Sequence, residues 1–190
     1  MTPSSDAEGG PDEQLGPTEW VTGLPGPHTV GLGPWATENP GVPAPTDSRY
    51  DPELLADGDR RNVVDAYRYW TREAIVADLD ARRHPFEVAI ENLGHDANIG
   101  TVVRTANAFA ASAVHIVGRR RWNRRGAMVT DRYQHLLHHD SVSELMTWAR
   151  DNGLAVVAVD NTPGSVPLET ADLPRECVLL FGQVSALQDQ

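Results

Sequence analysis

From residue 60 onward the chain alternates between two hydrophobic rhythms. The stretch RRNVVDAYRYWTREAIVADLDA (60–81) places Val63, Val64, Tyr67, Trp70, Ile75 and Leu79 at helical spacing, with no Pro or Gly between them. That spacing predicts one or two helices between Asp59 and about Ala81. After Pro85 the pattern changes to FEVAIENL, a short β-rich run. In HDANIGTVVRTANAFA, which follows, Ile99, Val102, Val103, Ala106 and Phe109 return to helical offsets, with Asp96 or Asn98 as the cap. AVHIVG (113–118) reads as a second buried strand. SVSELMTWARDNG opens with Ser141 and Glu144 in capping-box spacing and closes on Gly153, which brackets another helix. LAVVAV (154–159) and CVLLFG (177–182) are continuous apolar runs of strand length, the pattern of strands covered on both faces. Strands alternating with helices predict an α/β fold with a mostly parallel sheet flanked by helices. Ligands in such sheets bind beyond the carboxyl ends of the strands, which directs attention to residues 92–98, 118–125, 160–163 and those from 182 onward.

The first third of the chain has neither rhythm. Residues 1–60 hold 10 of the 14 Pro, 9 of the 16 Gly and 11 acids against two bases, Arg49 and Arg60, so most of the net charge of −11 lies there. Such a segment buries too little apolar surface to offset its ordering entropy. Residues 1–58 therefore read as an acidic, mobile arm, and 59–190 as the domain. Trp20, Val21, Leu24 and Trp35 are the apolar residues by which part of 15–48 could lie on that domain. At 190 residues the chain has room for one domain and an appendage. Mean hydropathy is −0.40 and no apolar run reaches the roughly 20 residues of a membrane span, so no membrane is expected. MTPSSDAEGG is neither a secretory signal nor a transit peptide, which leaves a cytoplasmic location as the expectation.

Several chemistries drop out on residue type. All 16 basic residues are Arg, so lysine Schiff bases and the Walker lysine are impossible. GHDANIG lacks the GxGxxG spacing, which leaves a nucleotide-binding oxidoreductase supported only by the general α/β pattern. The lone Cys177 reads as a small core residue. His135, His138 and His139 have no Cys and no suitably spaced carboxylate to complete a ligand set, so no metal is expected.

The positive candidates lie at strand ends. Arg119, Arg120, Arg121, Arg124 and Arg125, with Trp122 among them, put five guanidiniums and one indole in a single loop. They could meet RNA phosphates and a base, or form a solvated basic turn against the acidic arm. Arg104 stands on the helix face opposite Ile99 and Val103, beside Thr101 and Thr105. Asp160 and Asn161 end a strand where turn chemistry suffices, although they could also hydrogen-bond a ribose or a methionine-like ligand.

The segment Phe86 to Gly118, above all Asn98-Ile99-Gly100-Thr101-Val102-Val103-Arg104-Thr105-Ala106 followed by Ala108-Phe109, resembles the first signature of the SpoU (TrmH) family of S-adenosylmethionine-dependent RNA ribose 2′-O-methyltransferases, in the SPOUT superfamily. The resemblance covers roughly residues 60–183, and Val178-Leu179-Leu180-Phe181-Gly182-Gln183 looks like the start of the second signature. It implies an α/β knot fold, S-adenosylmethionine as cofactor and tRNA or rRNA as substrate. It further implies Arg104 as the catalytic residue with Asn98 beside it, donor contacts from Asp160, Asn161, Gly182 and Gln183, and a homodimer for the complete fold. In the family the second signature continues into a Glu and two Gly residues, and a third signature leads into the last helix. Here Val184 to Gln190 stand in their place. The expectation is therefore a donor site and knot incomplete at the carboxyl end, as a shifted reading frame would produce, and a chain with little or no activity. The alternative is a non-catalytic RNA-binding or dimerisation module derived from that fold.

Overall fold

A computed structural model describes residues 31–92 and 98–182. Its centre is a five-stranded, all-parallel sheet in the order β3-β2-β1-β5-β4. The strands are β1 (Phe86–Asn92), β2 (Val114–Gly118), β3 (Leu136–His139), β4 (Ala155–Val159) and β5 (Cys177–Phe181). The helices are α1 (Trp35–Glu38), α2 (Pro52–Asp57), α3 (Arg72–Asp80), α4 (Ile99–Ala108) and α5 (Val142–Asp151).

Side chains alternate across a strand, so β1 feeds two separate cores. Val88 and Ile90 join Ile99, Val103, Ala106, Val114 and Ile116 under α4. Ala89 joins Val117, Leu145, Ala149 and Val178 under α5, on the opposite face. The helix at 142–151 starts as its capping residues predict. Ser141 Oγ accepts the Glu144 amide (3.2 Å), while the Glu144 carboxylate accepts from the amide of Asp140 rather than Ser141 (2.6 Å).

Four expectations change. Residues 59–71 are mostly extended, with one 3-10 turn at Asp65–Tyr67, and the helix begins only at Arg72. The reason is Asp59, fully buried, whose carboxylate accepts the amides of Arg61 (3.0 Å) and Tyr69 (2.9 Å) and so ties together residues that a helix would separate. Residues 31–58, expected within the arm, are built onto the domain. Leu32 and Asp59 exchange backbone hydrogen bonds (2.9 Å each), Tyr69 donates its hydroxyl to the Gly33 carbonyl (2.8 Å), and Trp35 meets the Tyr69 ring edge-on at 5.6 Å. Residues 1–30, including Trp20, Val21 and Leu24, lie outside the described residues. The run 155–159 is an edge strand with Ala155 and Ala158 exposed, not one covered on both faces. Leu136–His139 form β3, which the hydrophobic pattern did not indicate.

Candidate functional site

From β1 the chain passes through α4 to β2 and on to β3 in one direction, whereas β5 returns on the other side of β1. The carboxyl ends of these parallel strands, with β1 at the centre of the sheet between β2 and β5, are where such a sheet offers a ligand site. Asn92 closes β1 there and is 1% exposed. Its Nδ2 donates to the carbonyls of Arg119 (2.5 Å) and Arg121 (2.9 Å), and its own carbonyl accepts the Arg119 amide (3.1 Å). His138 Nε2 meets the Gly118 carbonyl at 2.7 Å. The arginine loop is thus held by its backbone, and its five guanidiniums are left on the surface.

Those five are not equivalent. Arg124 pairs with Asp131 (2.9 Å) and lies over the Trp122 ring at 5.4 Å. Trp122 itself is half-buried against the α4 core, so its indole is not the open stacking surface that the sequence suggested. Arg119, Arg120, Arg121 and Arg125 have no carboxylate within ion-pair distance among the described residues.

A close backbone crossing joins this loop to α4. A Cβ placed on Gly100 would lie 2.6 Å from the Ala127 nitrogen and 2.7 Å from the Gly126 carbonyl carbon, and Gly126 faces Gly100 in turn. Only two glycines let the loop backbone touch the first turn of the helix. Along α4, Ile99, Gly100, Val103 and Ala106 are buried and Arg104 is exposed, so the helix presents Arg104 outward beside the loop's anchorage. Asn98 occupies the N-cap position and its carbonyl accepts the Val102 amide (2.9 Å). Its side chain makes no cap bond and is exposed, and Asp96 lies outside the described residues.

The remaining candidates follow β4 and β5. Asp160 Oδ1 accepts the Asn161 amide (2.7 Å), and the Asp160 carbonyl accepts the Ser165 hydroxyl (3.1 Å), a closed polar turn. Behind it is a cleft of about 350 Å³ walled by Val157, Val159, Val166, Leu168 and Leu173, with Asp160 on its lining. Two strand spacings separate the ends of β4 and β1, about 10 Å, so both ends can face one extended ligand. Gly182 is exposed beside Glu91, whose Oε2 would be 3.1 Å from a Cβ at Gly182. Gln183 lies outside the described residues.

The three adjacent histidines have separate partners. His135 meets Asp80 (2.8 Å), His138 the Gly118 carbonyl, and His139 the buried ring of His115 (2.8 Å). Burial pushes the Cys177 thiol up, which keeps it protonated and unreactive.

The SpoU rRNA Methylase family matches residues 85–183, which span β1 to the end of β5 and hold every residue just described except Asp80. The chain belongs to the SpoU family. The tRNA (guanosine(18)-2'-O)-methyltransferases of Escherichia coli (strain K12) and Shigella flexneri are each 25% identical over 117 residues, covering 60% of this chain and 51% of the relative. The chain thus spans about half the length of the curated relatives it matches. Among solved structures, the A. aeolicus TrmH/SpoU tRNA modifying enzyme overlays with a TM-score of 0.51 at 18% identity, covering 59% of each chain, a likeness of fold. The AdoMet complex of AviRb from Streptomyces viridochromogenes has a TM-score of 0.49 at 21% identity, covering 55% of this chain and 45% of the other.

Sequence reasoning pointed to Asn92 as the start of a strand-end loop but not to its hold on the arginine loop, and it missed the Gly100–Gly126 crossing. The available signals were a polar residue ending an apolar strand and a glycine standing in an otherwise good helix, which commonly marks close packing.

Proposed function

We propose that this chain forms the substrate-facing part of an S-adenosylmethionine-dependent RNA ribose 2′-O-methyltransferase, acting on tRNA or rRNA in the cytoplasm. One observation carries the reading. The Gly100–Gly126 crossing holds a loop of exposed guanidiniums against the helix that bears Asn98 and Arg104, at the carboxyl end of a parallel sheet. Phosphates on the loop would bring a ribose to the helix.

Methylation needs the 2′-hydroxyl aligned for attack on the methyl while its proton passes to an RNA phosphate oxygen and on to solvent, and negative charge grows on its oxygen. A guanidinium has no lone pair to offer as a base. Arg104 therefore acts by donating hydrogen bonds that orient the ribose and stabilise the developing oxyanion, with the Asn98 amide holding the neighbouring hydroxyl. S-adenosylmethionine, when bound, supplies an electrophilic methyl group on a sulfonium. The residues present suit its nucleoside half. The cleft behind Asp160 has apolar walls for a purine and a carboxylate at its lining for ribose hydroxyls, with Asn161 beside it. Gly182 lacks the Cβ that would crowd the Glu91 carboxylate, and Gln183, next in the sequence, is assigned to the same donor by resemblance to the family's second signature.

Transfer of tritium from labelled donor to RNA tests this reading. In a chain extended through the rest of the family's second and third signatures, Arg104→Ala should lower turnover by about 10² or more, the scale of losing one positioned donor, and leave donor affinity in calorimetry unchanged. Full turnover in that variant would overturn the role of Arg104. The four loop arginines without carboxylate partners would serve RNA with or without a donor, which favours as second reading a non-catalytic RNA-binding module. Salt-sensitive RNA binding with no donor binding selects it.

A further inference from the structure

A cleft of about 690 Å³ lies between the segment ahead of the SpoU match and the stretch that follows the arginine loop. Leu54, Asp57, Gly58, Arg60, Arg61 and Asn62 line one side, and Val129 and Arg132 the other. Each guanidinium on it is set by locked neighbours. Asp59, next to Arg60, is fixed by its backbone exchange with Leu32 and by accepting from Nε and Nη2 of Arg61 (2.9 and 2.7 Å). Beyond Arg132, Gln134 and the Tyr133 carbonyl are bound by Arg83. Arg61 is neutralised by Asp59, whereas Arg60 and Arg132 are exposed and have no ion-pair partner among the described residues. They outweigh Asp57, the one carboxylate of the lining.

The far side of the cleft is strained. Met128 (φ 50°, ψ 41°) and Val129 (φ 73°, ψ −6°) are consecutive left-handed residues, and for a β-branched valine that conformation is a genuine outlier. Both apolar side chains are outside, 54% and 38% exposed, and Val129 shares the cleft lining with the free guanidiniums of Arg60 and Arg132 while Met128 precedes it in the chain. Burial does not offset the strain, so its use is to be sought at the surface. An apolar knob flanked by two arginines has the chemistry of a base-stacking surface with phosphate clamps. The turn Thr130–Arg132 packs on α4, which carries Arg104.

We propose that this cleft binds a nucleotide of the substrate RNA other than the one that is methylated. Its phosphate lies between Arg60 and Arg132, its base packs on Val129 and Met128, and the Asn62 amide is within the same lining to read a base edge. The proposal rests on the RNA reading above and adds a second contact, half of it built by residues 54–62, which precede the matched segment. The volume is within the range of ligand sites, about 300–1,000 Å³.

The test uses the full chain and a fluorescein-labelled 20-nucleotide RNA hairpin, with affinity measured by anisotropy from 50 to 300 mM salt. Arg60→Gln with Arg132→Gln should lower the slope of log K against log salt by about 1, for the one phosphate left without its guanidiniums, and should not change the thermal midpoint. The control pair Arg72→Gln with Arg150→Gln, on α3 and α5, should leave the slope unchanged. An unchanged slope in the cleft variant, while Arg120→Gln/Arg121→Gln/Arg124→Gln flattens it, overturns the cleft and spares the RNA reading. An equal drop in the control pair overturns it as well, since the effect would then be overall charge. Wild-type chain that fails to bind the hairpin in a salt-sensitive way overturns both.

Discussion

Substituting Gly100 with Ala sets two opposing effects against each other, and the structure decides the sign. In an open helix Ala is favoured over Gly by about 1 kcal/mol. Here the new Cβ would meet the Ala127 nitrogen at 2.6 Å and the Gly126 Cα and carbonyl carbon at 2.7 Å, all backbone atoms that cannot swing aside. The loop would have to retreat by about 0.8 Å to restore van der Waals contact, and overpacking of this kind costs about 1–3 kcal/mol. The steric term exceeds the propensity gain. We expect Gly100→Ala to lose up to about 2 kcal/mol net, a fall of up to roughly 8 °C in thermal midpoint for a domain of this size. Its RNA affinity should weaken at the same time, because the segment that moves carries Arg124 and Arg125. Gly126→Ala should be milder, since its Cβ would approach Gly100 Cα only to 3.2 Å. Differential scanning fluorimetry and hairpin anisotropy on both variants check the ranking. An unchanged or raised midpoint with unchanged RNA affinity in Gly100→Ala would refute the idea that this crossing positions the loop.

Asn92→Leu keeps the volume but leaves the Arg119 and Arg121 carbonyls without a donor, so urea unfolding should show a loss of about 1–3 kcal/mol and RNA affinity should fall with it. Burial alone would raise the Asp59 carboxyl, but hydrogen bonds from the Arg61 guanidinium and from the Tyr69 and Arg61 amides outweigh it and hold it at about 2. A depressed carboxylate stabilises above its unfolded value and loses that contribution as pH falls. Wild-type stability should therefore drop by roughly 2.5 kcal/mol between about pH 5 and pH 1, most of it between pH 4 and pH 2, a decline absent from Asp59→Asn in urea titrations at each pH. Burial, then the neighbouring His115, lowers His139, so the fold favours its neutral form. Stability should fall as pH drops below about 6.5, and His139→Phe should flatten that part of the profile. An identical slope would show that His139 charges without cost.

The strand, turn and helix from 86 to 109 were legible because their residues answer to a nearby core. β1 alternates Val88 and Ile90 against Ala89, and α4 buries Ile99, Val103 and Ala106 on one stripe. β3 was not legible. Four residues ending in two histidines carry no β pattern, and what makes a strand of them is the stacking of His139 on His115 and the hold of His138 on Gly118. The helical spacing of 60–71 failed for a related reason, because the buried Asp59 carboxylate recruits amides two and ten residues away and outweighs intrinsic propensity. In the site, clustering alone exposed the arginine loop and the signature exposed Asn98 and Arg104. The Asn92 tether, the glycine crossing and the Val129 knob depend on which backbones approach in space, and no local pattern encodes that.

A net charge of −11 gives the wrong impression of this molecule's surface, and the ion pairs explain why. Arg49, Arg61, Arg68, Arg72, Arg82, Arg83, Arg124 and Arg150 each stand within 4 Å of a carboxylate. Most of these pairs fasten the layer formed by residues 47–83. Among the arginines with no such partner in the described residues are Arg119, Arg120, Arg121 and Arg125 in the loop and Arg60 and Arg132 in the cleft. Pairing therefore removes positive charge from the scaffold and leaves it around α4. At physiological salt a charge is felt over about 8 Å, so an approaching phosphate responds to those guanidiniums and not to acids elsewhere on the chain. An acidic protein can then bind RNA with a steep salt dependence, and the steepness should follow these six arginines of the loop and the cleft instead of the isoelectric point.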